Sequence, residues 1–269
     1  FGLQDGAVAA MYGVALGVNP ELRVFNLTHE IETYNIWNAS YRLVQTLQYW
    51  PEGTVFVSVV DPGVGSERKS VVAKTKDGKY IVTPNNGTLT HIHLNIGIEE
   101  IREIDETKNR LPYSNDSYTF HGRDIYAFTG ARLATGVISY EEVGPKLDLE
   151  GISLLNTGEV KIENGNTIQG TIDILDVRFG NLWTNIPKED FEKLGIKYGD
   201  TVELTINHDS RKVYSSTVKY VKSFSEVNTG ATLLYVNSLH KIGVAINQGS
   251  FSKAHQVDSG YQWKVEFKK

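Results

Sequence analysis

The sequence of 269 residues contains no cysteine. This absence excludes a disulfide scaffold, a zinc site built from thiolates and a cysteine nucleophile. It fits a cytoplasmic protein, and an exported bacterial protein can have the same composition. The chain also lacks any apolar run near the roughly 18 residues that a membrane-spanning helix needs.

Basic charge is scarce as well. Lys and Arg total 27 against 32 Asp and Glu, which gives a formal net charge of −5. The basic residues are scattered along the chain and form no stripe. Proteins that bind nucleic acids or anionic membranes through charge need such a basic surface. We therefore expect no nucleic acid and no membrane as the main partner.

Strand-like and helix-like segments alternate through residues 1–150. The stretches ELRVFNLTH, TVFVSVV and KYIVT read as strands, and residues 35–50 and 123–135 carry apolar side chains at helical spacing. Since TVFVSVV is apolar on both faces, it is typical of a parallel sheet covered by helices. The sequence thus predicts an α/β N-terminal domain with a mostly parallel sheet flanked by helices.

The rest of the chain has a different pattern. Residues 167–269 alternate apolar and polar side chains with a period of two, and turn residues separate the strand-like segments. This pattern predicts an all-β, barrel-like C-terminal domain. Residues 151–166 are rich in Gly, Asn and Thr, and we interpret them as the linker.

A first functional hypothesis comes from residues 55–65, VFVSVVDPGVG, where a buried-looking strand ends on Asp61. Ligands of α/β sheets bind beyond the carboxyl ends of the strands, where Asp61 and the PNNG segment at 84–87 would both lie. Pro62 restricts the backbone, and the glycines that follow allow a ligand to approach closely. The alternative is a plain turn, since Asp-Pro-Gly is common turn chemistry.

Two later stretches add further candidate residues. TFHGRDIYAF places His121 at the start of a predicted helix, and Arg68 shares the loop of Asp61, so that the three could form an acid–base set. The alternative for a lone histidine is a satisfied structural residue or a helix cap. DVRFGNLWTNI, residues 176–186, suits a flat ligand with polar edges, and its alternative is an edge-strand turn whose aromatic side chains fill the core.

Six motifs occur in a fixed order along the chain: FGLQDG, PEGTVFVSVVDPGVGSER, TPNNGTLT, TFHGRDIYA, DVRFGNLWTNI and NSLHKIGVAINQGS. In their order and spacing the chain resembles the S-adenosylmethionine hydroxide adenosyltransferases, relatives of the bacterial fluorinase and chlorinase. The resemblance covers nearly the whole chain. It implies an N-terminal α/β domain, a C-terminal β-barrel domain and a homotrimer. It also implies that S-adenosylmethionine binds as substrate between neighbouring subunits, with no metal and no separate cofactor.

The resemblance further implies which residues act. Family members that use water carry an Asp–Arg–His set, which matches Asp61, Arg68 and His121. The halogenating relatives have tyrosines in place of the aspartate and the histidine, and hydroxyl residues at the positions of Val64 and Gly122. This chain has neither hydroxyl, so the resemblance implies hydrolysis to adenosine and methionine by attack of water on the ribose C5′. The alternatives are chloride-dependent halogenation at that carbon and a sensor that binds without turnover.

A substrate-binding set is implied in the same way. It comprises Asp5, Tyr34, Gly122, Asp176, Phe179, Asn181, Trp183, Ser238 and Gln248. Asp176 is expected at the methionine ammonium group, Asn181 at the adenine edge and Ser238 at the methionine carboxylate. The family motif also has an aspartate before FG that binds the ribose hydroxyls, and we expect it to precede Phe1. Leu239 and Ile246 stand where the halogenating relatives have basic residues.

Overall fold

The structure is a computed structural model that describes residues 1–269. The chain divides into two compact units, Phe1–Leu155 and Asn156–Lys269. Each unit has its own sheet, and each is described by itself below. No helix in the structure combines the length and the apolar character needed to cross a bilayer.

The first unit contains a five-stranded mixed sheet in the order β1-β3-β2-β4-β5. The strands are β1 (Val55–Val57), β2 (Ser70–Thr75), β3 (Tyr80–Pro84), β4 (Ile98–Glu103) and β5 (Lys146–Leu147). Only β1 and β3 pair in parallel, and the other three pairings are antiparallel. The predicted fold class, an α/β domain with a mostly parallel sheet flanked by helices, is therefore wrong.

A tight turn explains the error. β2 and β3 are joined through Asp77 and Gly78, and the glycine has a φ of +78°. An Asp-Gly pair between two strands is a strong hairpin signal, and so short a connection allows only antiparallel pairing. β2 and β3 nevertheless look apolar on both faces, because the sheet is covered on both sides. Val71 and Ile81 pack into one cluster, whereas Val72 and Val82 pack into another.

Helices of the first unit are short. They are α1 (Ala7–Val18), α2 (Ile36–Leu47), α3 (Thr90–Asn95) and α4 (Phe128–Ala134), with a π-helix at Gly122–Ala127 and 3₁₀ turns at Glu141–Val143 and Leu149–Gly151. The Asn35 side chain caps α2 by accepting a bond from the Asn38 backbone N–H at 2.9 Å. The segment ELRVFNLTH forms no strand, although its alternation predicts one. There the Phe25 ring packs against Trp50, with ring centroids 5.5 Å apart.

The second unit is a closed barrel of seven strands. They are β7 (Thr167–Asp176), β8 (Asn181–Pro187), β9 (Thr201–His208), β10 (Arg211–Tyr220), β11 (Thr232–Val236), β12 (Lys241–Ile246) and β13 (Gly260–Lys268). Pairing of β13 with β7 closes the barrel, and β6 (Lys161–Glu163) adds a short edge strand to β7. Two helices, α5 (Lys188–Glu192) and α6 (Phe251–His255), and a 3₁₀ turn at Phe224–Glu226 complete the unit. Alternate side chains of the strands form one apolar core.

Candidate active site

The loop that follows β1 holds a buried ion pair between two of the predicted residues. Arg68 Nε donates to Asp61 Oδ1 at 2.7 Å, and Nη2 of the same guanidinium donates to Oδ2. The side chains are only 12% and 5% exposed, respectively. A guanidinium matches a carboxylate in this two-point geometry, which fixes the carboxylate orientation. Removal of either partner would leave an uncompensated buried charge.

Two contacts fix the path of this loop. Gly65 has a φ of +77°, and a Cβ atom at that position would lie 3.0 Å from the Tyr118 carbonyl oxygen. Asn86, in the PNNG segment, donates from Nδ2 to the Val60 carbonyl at 2.9 Å. The PNNG segment thus supports the backbone directly before Asp61. Asn86 is absent from the predicted site, although its position after a neighbouring strand is the signal that could have identified it.

His121 immediately precedes the π-helix Gly122–Ala127 and is only 5% exposed. Both of its ring nitrogens are buried and have no hydrogen-bond partner in the structure. Buried polar groups are nearly always paired, because an unpaired one has lost its hydration without compensation. These nitrogens are therefore available to a water molecule or a substrate. π-Helical turns occur frequently at functional sites.

Electrostatics relate His121 to the ion pair. Burial lowers the pKa of the His121 imidazole below its usual value, the Glu106 and Asp61 carboxylates oppose this, and Arg110 and Arg68 add to it. The first unit thus brings Asp61 and Arg68 within electrostatic range of His121. An imidazole whose pKa is lowered is neutral near pH 7 and can accept a proton.

Three residues of the predicted binding set also belong to the first unit. Gly122 is buried, and a Cβ atom at that position would lie 2.6 Å from Phe1 Cζ, so a side chain would displace that ring. Asp5 is exposed and accepts a bond from the Ala7 backbone N–H at 2.9 Å, at the start of α1. Tyr34 is exposed, with a left-handed φ of 69°. Asp5 and Tyr34 therefore present their side chains on the surface of this unit.

In the second unit, the hairpin between β7 and β8 carries most of the predicted binding residues. Asp176 ends β7 and pairs with Asn181, which begins β8. Trp183 Nε1 donates to Tyr235 Oη at 2.9 Å. Burial raises the pKa of Tyr235 to about 12. The nearby Asp176 carboxylate acts in the same direction, whereas hydrogen bonds with Trp183 and Asn181 lower the pKa. Asp176, Asn181 and Trp183 therefore lie close to one partly buried phenol.

Sequence reasoning missed Tyr235. Its strand, β11, is readable from the alternation, but its neighbours depend on the register of the barrel. Tyr235 lies opposite Gly243 on β12, and Gly243 lies opposite Trp183 on β8. A Cβ atom on Gly243 would approach the Tyr235 ring to 2.6 Å, so the glycine makes room for the ring.

The remaining predicted residues lie on exposed turns of this unit. Phe179 projects from the tip of the hairpin, and Gln248 follows β12 with a left-handed φ of 58°. The segment after Gln248 is tied to the hairpin, because the Ser252 N–H donates to the Gly180 carbonyl at 2.9 Å. Ser238 lies in the turn before β12. Gln248 and Ser238 are thus beyond opposite ends of β12, a strand of six residues and about 20 Å.

Two family models match this chain. The SAM hydroxide adenosyltransferase N-terminal domain matches residues 1–144, and the C-terminal domain of that family matches residues 170–264. The chain belongs to the SAM hydroxide adenosyltransferase family. This confirms the predicted resemblance and makes the protein an enzyme that acts on S-adenosylmethionine.

Individual relatives of this hydroxide adenosyltransferase cover almost its full length. An (R)-S-adenosyl-L-methionine hydrolase of Methanocaldococcus jannaschii is 35% identical over 262 residues, 96% of this chain and 90% of that protein. A fluorinase of Actinopolyspora mzabensis is 25% identical over 287 residues, 98% of this chain and 94% of that protein. The crystal structure of an uncharacterized conserved protein from Thermotoga maritima superimposes with a TM-score of 0.89 at 34% identity, covering 100% of this chain and 97% of that one.

The buried state of His121 gives a direct prediction. We expect the imidazole of this hydroxide adenosyltransferase to titrate below the ordinary histidine pKa of about 6.5, because burial disfavours the charged ring. NMR of the C2 proton against pH, assigned with a His121→Gln variant, measures the midpoint. The same residue in the urea-unfolded chain is the control, and a folded-state midpoint at or above that of the unfolded chain would contradict the assignment.

Proposed function

We propose how this enzyme hydrolyses S-adenosylmethionine to adenosine and methionine: Asp61, Arg68 and His121 hold the water molecule that attacks the ribose C5′. The family match and the similarity to named hydrolases, greater than to the fluorinase, support hydrolysis. One observation carries the assignment of residues. It is the pair of unpartnered, buried nitrogens of His121 within electrostatic range of the Asp61–Arg68 pair.

Bond making and breaking are simple in this reaction. The water oxygen forms a bond to C5′ while the bond from C5′ to sulfur breaks, and the electron pair of that bond goes to sulfur. The sulfonium thereby becomes the neutral thioether of methionine. Because a positively charged sulfur leaves readily, neither a general acid nor a metal is needed to expel methionine. We therefore include no cofactor in the proposal.

The difficult part is the nucleophile, because the pKa of bulk water is about 15.7. His121 is the proposed proton acceptor, since its ring is neutral and its nitrogens have no protein partner. Both oxygens of Asp61 already accept bonds from Arg68, so Asp61 is not assigned as the proton acceptor. Its carboxylate instead orients the water and stabilises the imidazolium that forms. The proton then passes from the imidazolium to solvent.

Halogenation at the same carbon is disfavoured by the side chains around this water. Val64 and Gly122 carry no hydroxyl with which to hold a halide ion. At Gly122 a serine would also have to displace the Phe1 ring, because a Cβ atom would lie 2.6 Å from Phe1 Cζ. The pocket therefore favours water over a halide as nucleophile.

Substrate binding is assigned mainly to residues of the second unit. Asp176 would neutralise the methionine ammonium group, Asn181 would bond to the adenine edge and Trp183 would pack on the adenine or the ribose. Ser238 and Gln248 would contact the carboxylate end and the adenine end of the substrate. A cytoplasmic location, which the cysteine-free sequence fits, is part of the same proposal.

The distribution of residues over the two units favours a shared site. All three proposed catalytic residues belong to the first unit, and the hairpin residues that would bind adenine belong to the second. We infer a homotrimer in which the first unit of one subunit and the second unit of its neighbour form each cleft. Such a contact joins two different surfaces and closes on a three-fold axis.

The catalytic assignment predicts the effect of Asp61→Asn. We expect kcat to fall roughly 100-fold or more, because the neutral amide neither stabilises the imidazolium nor fixes the water. The Kd for S-adenosylmethionine should stay within a few-fold of the parental value, since the binding set is intact. Chromatography of released adenosine gives kcat, and calorimetry gives Kd.

A matched control for this variant is Asp116→Asn, because Asp116 is an exposed aspartate of the same unit. We expect this control to keep the parental kcat. Hydrolysis by Asp61→Asn at the parental rate would show that Asp61 is structural and would overturn the assignment.

The shared-site arrangement predicts complementation between two inactive chains. His121→Ala and Asn181→Ala variants, mixed under conditions of subunit exchange, should recover activity, because some clefts in mixed trimers combine two intact halves. Mass spectrometry of differently labelled chains verifies the exchange. Continued inactivity despite proven exchange, or full activity of a monomer at working concentration, would contradict the shared site.

A further inference from the structure

A second group of polar side chains, which the proposed reaction does not use, lies next to Arg68 of the Asp61–Arg68 pair. Its centre is Ser70, the first residue of β2, which is 3% exposed. Ser70 Oγ lies 3.4 Å from Arg68 Nη1, 3.3 Å from Glu106 Oε1 and 3.1 Å from Tyr126 Oη. Three different segments of the first unit thus meet on one hydroxyl group.

The directions of these three hydrogen bonds follow from the chemistry of the groups. A guanidinium only donates, so Arg68 donates to Ser70, and an ionised carboxylate only accepts, so Ser70 gives its one proton to Glu106. The remaining lone pair of Ser70 accepts from Tyr126. Burial raises the pKa of Tyr126 well above its usual value, which keeps this phenol protonated as a donor. Ser70 therefore links the Glu106 carboxylate to the Arg68 guanidinium through two hydrogen bonds. We call this chain, Glu106–Ser70–Arg68, the relay.

Backbone pairing fixes Glu106 beside Ser70. Val71 on β2 lies opposite Glu103 on β4, and the Ile104 N–H donates to the Ser70 carbonyl at 2.8 Å. Glu106 follows two residues later. Its position relative to the relay is thus set by the end of a strand ladder, a more rigid support than a free loop.

The other carboxylate oxygen of Glu106 begins a chain of contacts that ends at His121. Arg110 Nη2 donates to Glu106 Oε2 at 2.9 Å, and the Arg110 guanidinium carbon lies 5.2 Å from the centre of the Tyr118 ring. The Tyr118 and His121 ring centroids are 6.5 Å apart. The contacts therefore run from Asp61 through Arg68, Ser70, Glu106, Arg110 and Tyr118 to His121.

We propose that Glu106 is a positioning residue of the water-activating site, which holds the Arg68 guanidinium through Ser70 and supplies the second negative charge around His121. This inference rests on the proposed roles of Asp61, Arg68 and His121. Two carboxylates then face two guanidinium groups around the imidazole: Asp61 and Glu106 against Arg68 and Arg110. When His121 takes the proton from water, Glu106 offsets the repulsion between the new imidazolium and the two arginines.

A positioning role of Glu106 predicts a change in the pH dependence of kcat, which a purely structural role does not. The Glu106 carboxylate favours the charged imidazole, so Glu106→Gln should move the acid limb of the kcat profile toward lower pH. The plateau of kcat should fall about tenfold, the scale of one hydrogen-bonded positioning contact. KM should change less than twofold, because no substrate-binding residue is altered. Glu106→Asp, which keeps the charge, should leave the acid limb near its parental position.

Glu103→Gln is the matched control. Glu103 lines the same cleft of about 590 Å³ as Ser70 and Glu106, but its carboxylate pairs with Lys69 at 2.7 Å. We expect this control to show the parental profile. Ser70→Ala is the second test variant, because it breaks the relay and leaves the charge in place. Its kcat should fall about tenfold without movement of the acid limb.

The outcomes are decisive for this inference. If Glu106→Gln folds and its pH profile and kcat match those of Glu103→Gln, Glu106 does not position the site. If Glu106→Gln does not fold, an unchanged kcat in Ser70→Ala overturns the proposal and a tenfold loss supports it. Parental activity in His121→Gln would instead contradict the proposed function itself, independently of Glu106.

Discussion

The bidentate contact between Asp61 and Arg68 is the interaction on which the rest of the site depends. An ion pair this deeply buried has lost most of its hydration, and only complete hydrogen bonding of both partners keeps such a pair tolerable. The surrounding residues provide those bonds and the shape of the loop. Ser70 accepts from Nη1 of Arg68, Asn86 holds the backbone before Asp61, and Gly65 allows close packing against Tyr118. The result is a preorganised set of charges, which is how enzymes stabilise charge that develops during reaction.

The proposed water-activating residues lie in the first unit, and most of the proposed substrate-binding residues lie in the second. The groups that would activate water are the carboxylates, guanidinium groups and imidazole of the first unit. The second unit offers an aspartate, an asparagine, a tryptophan and a partly buried phenol near one hairpin. In the proposed mechanism, a change of nucleophile would need changes in the first unit, at positions such as Val64 and Gly122. The binding surface for the adenosine and methionine parts can remain the same.

Particular elements show how far the sequence predicts this structure. α2 follows from the helical spacing of apolar side chains in residues 35–50, and the ordered motifs identify Asp61, Arg68 and His121 as one candidate set. The parallel sheet is a wrong prediction because it rests on TVFVSVV, which forms only the three-residue edge strand β1, while the Asp77-Gly78 turn demands a hairpin between β2 and β3. Tyr235, Ser70 and Glu106 could not be predicted, because their neighbours depend on strand register across the sheet. Register between strands that are distant in the sequence is set by the whole pattern of buried faces and turns, so no single motif reveals it.

The central claim is that a water molecule held by Asp61, Arg68 and His121 attacks the ribose C5′. Its most direct test is hydrolysis in ¹⁸O-labelled water, with mass spectrometry of both products and with unlabelled adenosine plus enzyme as the control for exchange. The account predicts one ¹⁸O atom at the 5′-oxygen of adenosine and none in methionine. Adenosine without label, or label found in methionine, would contradict attack of water at C5′.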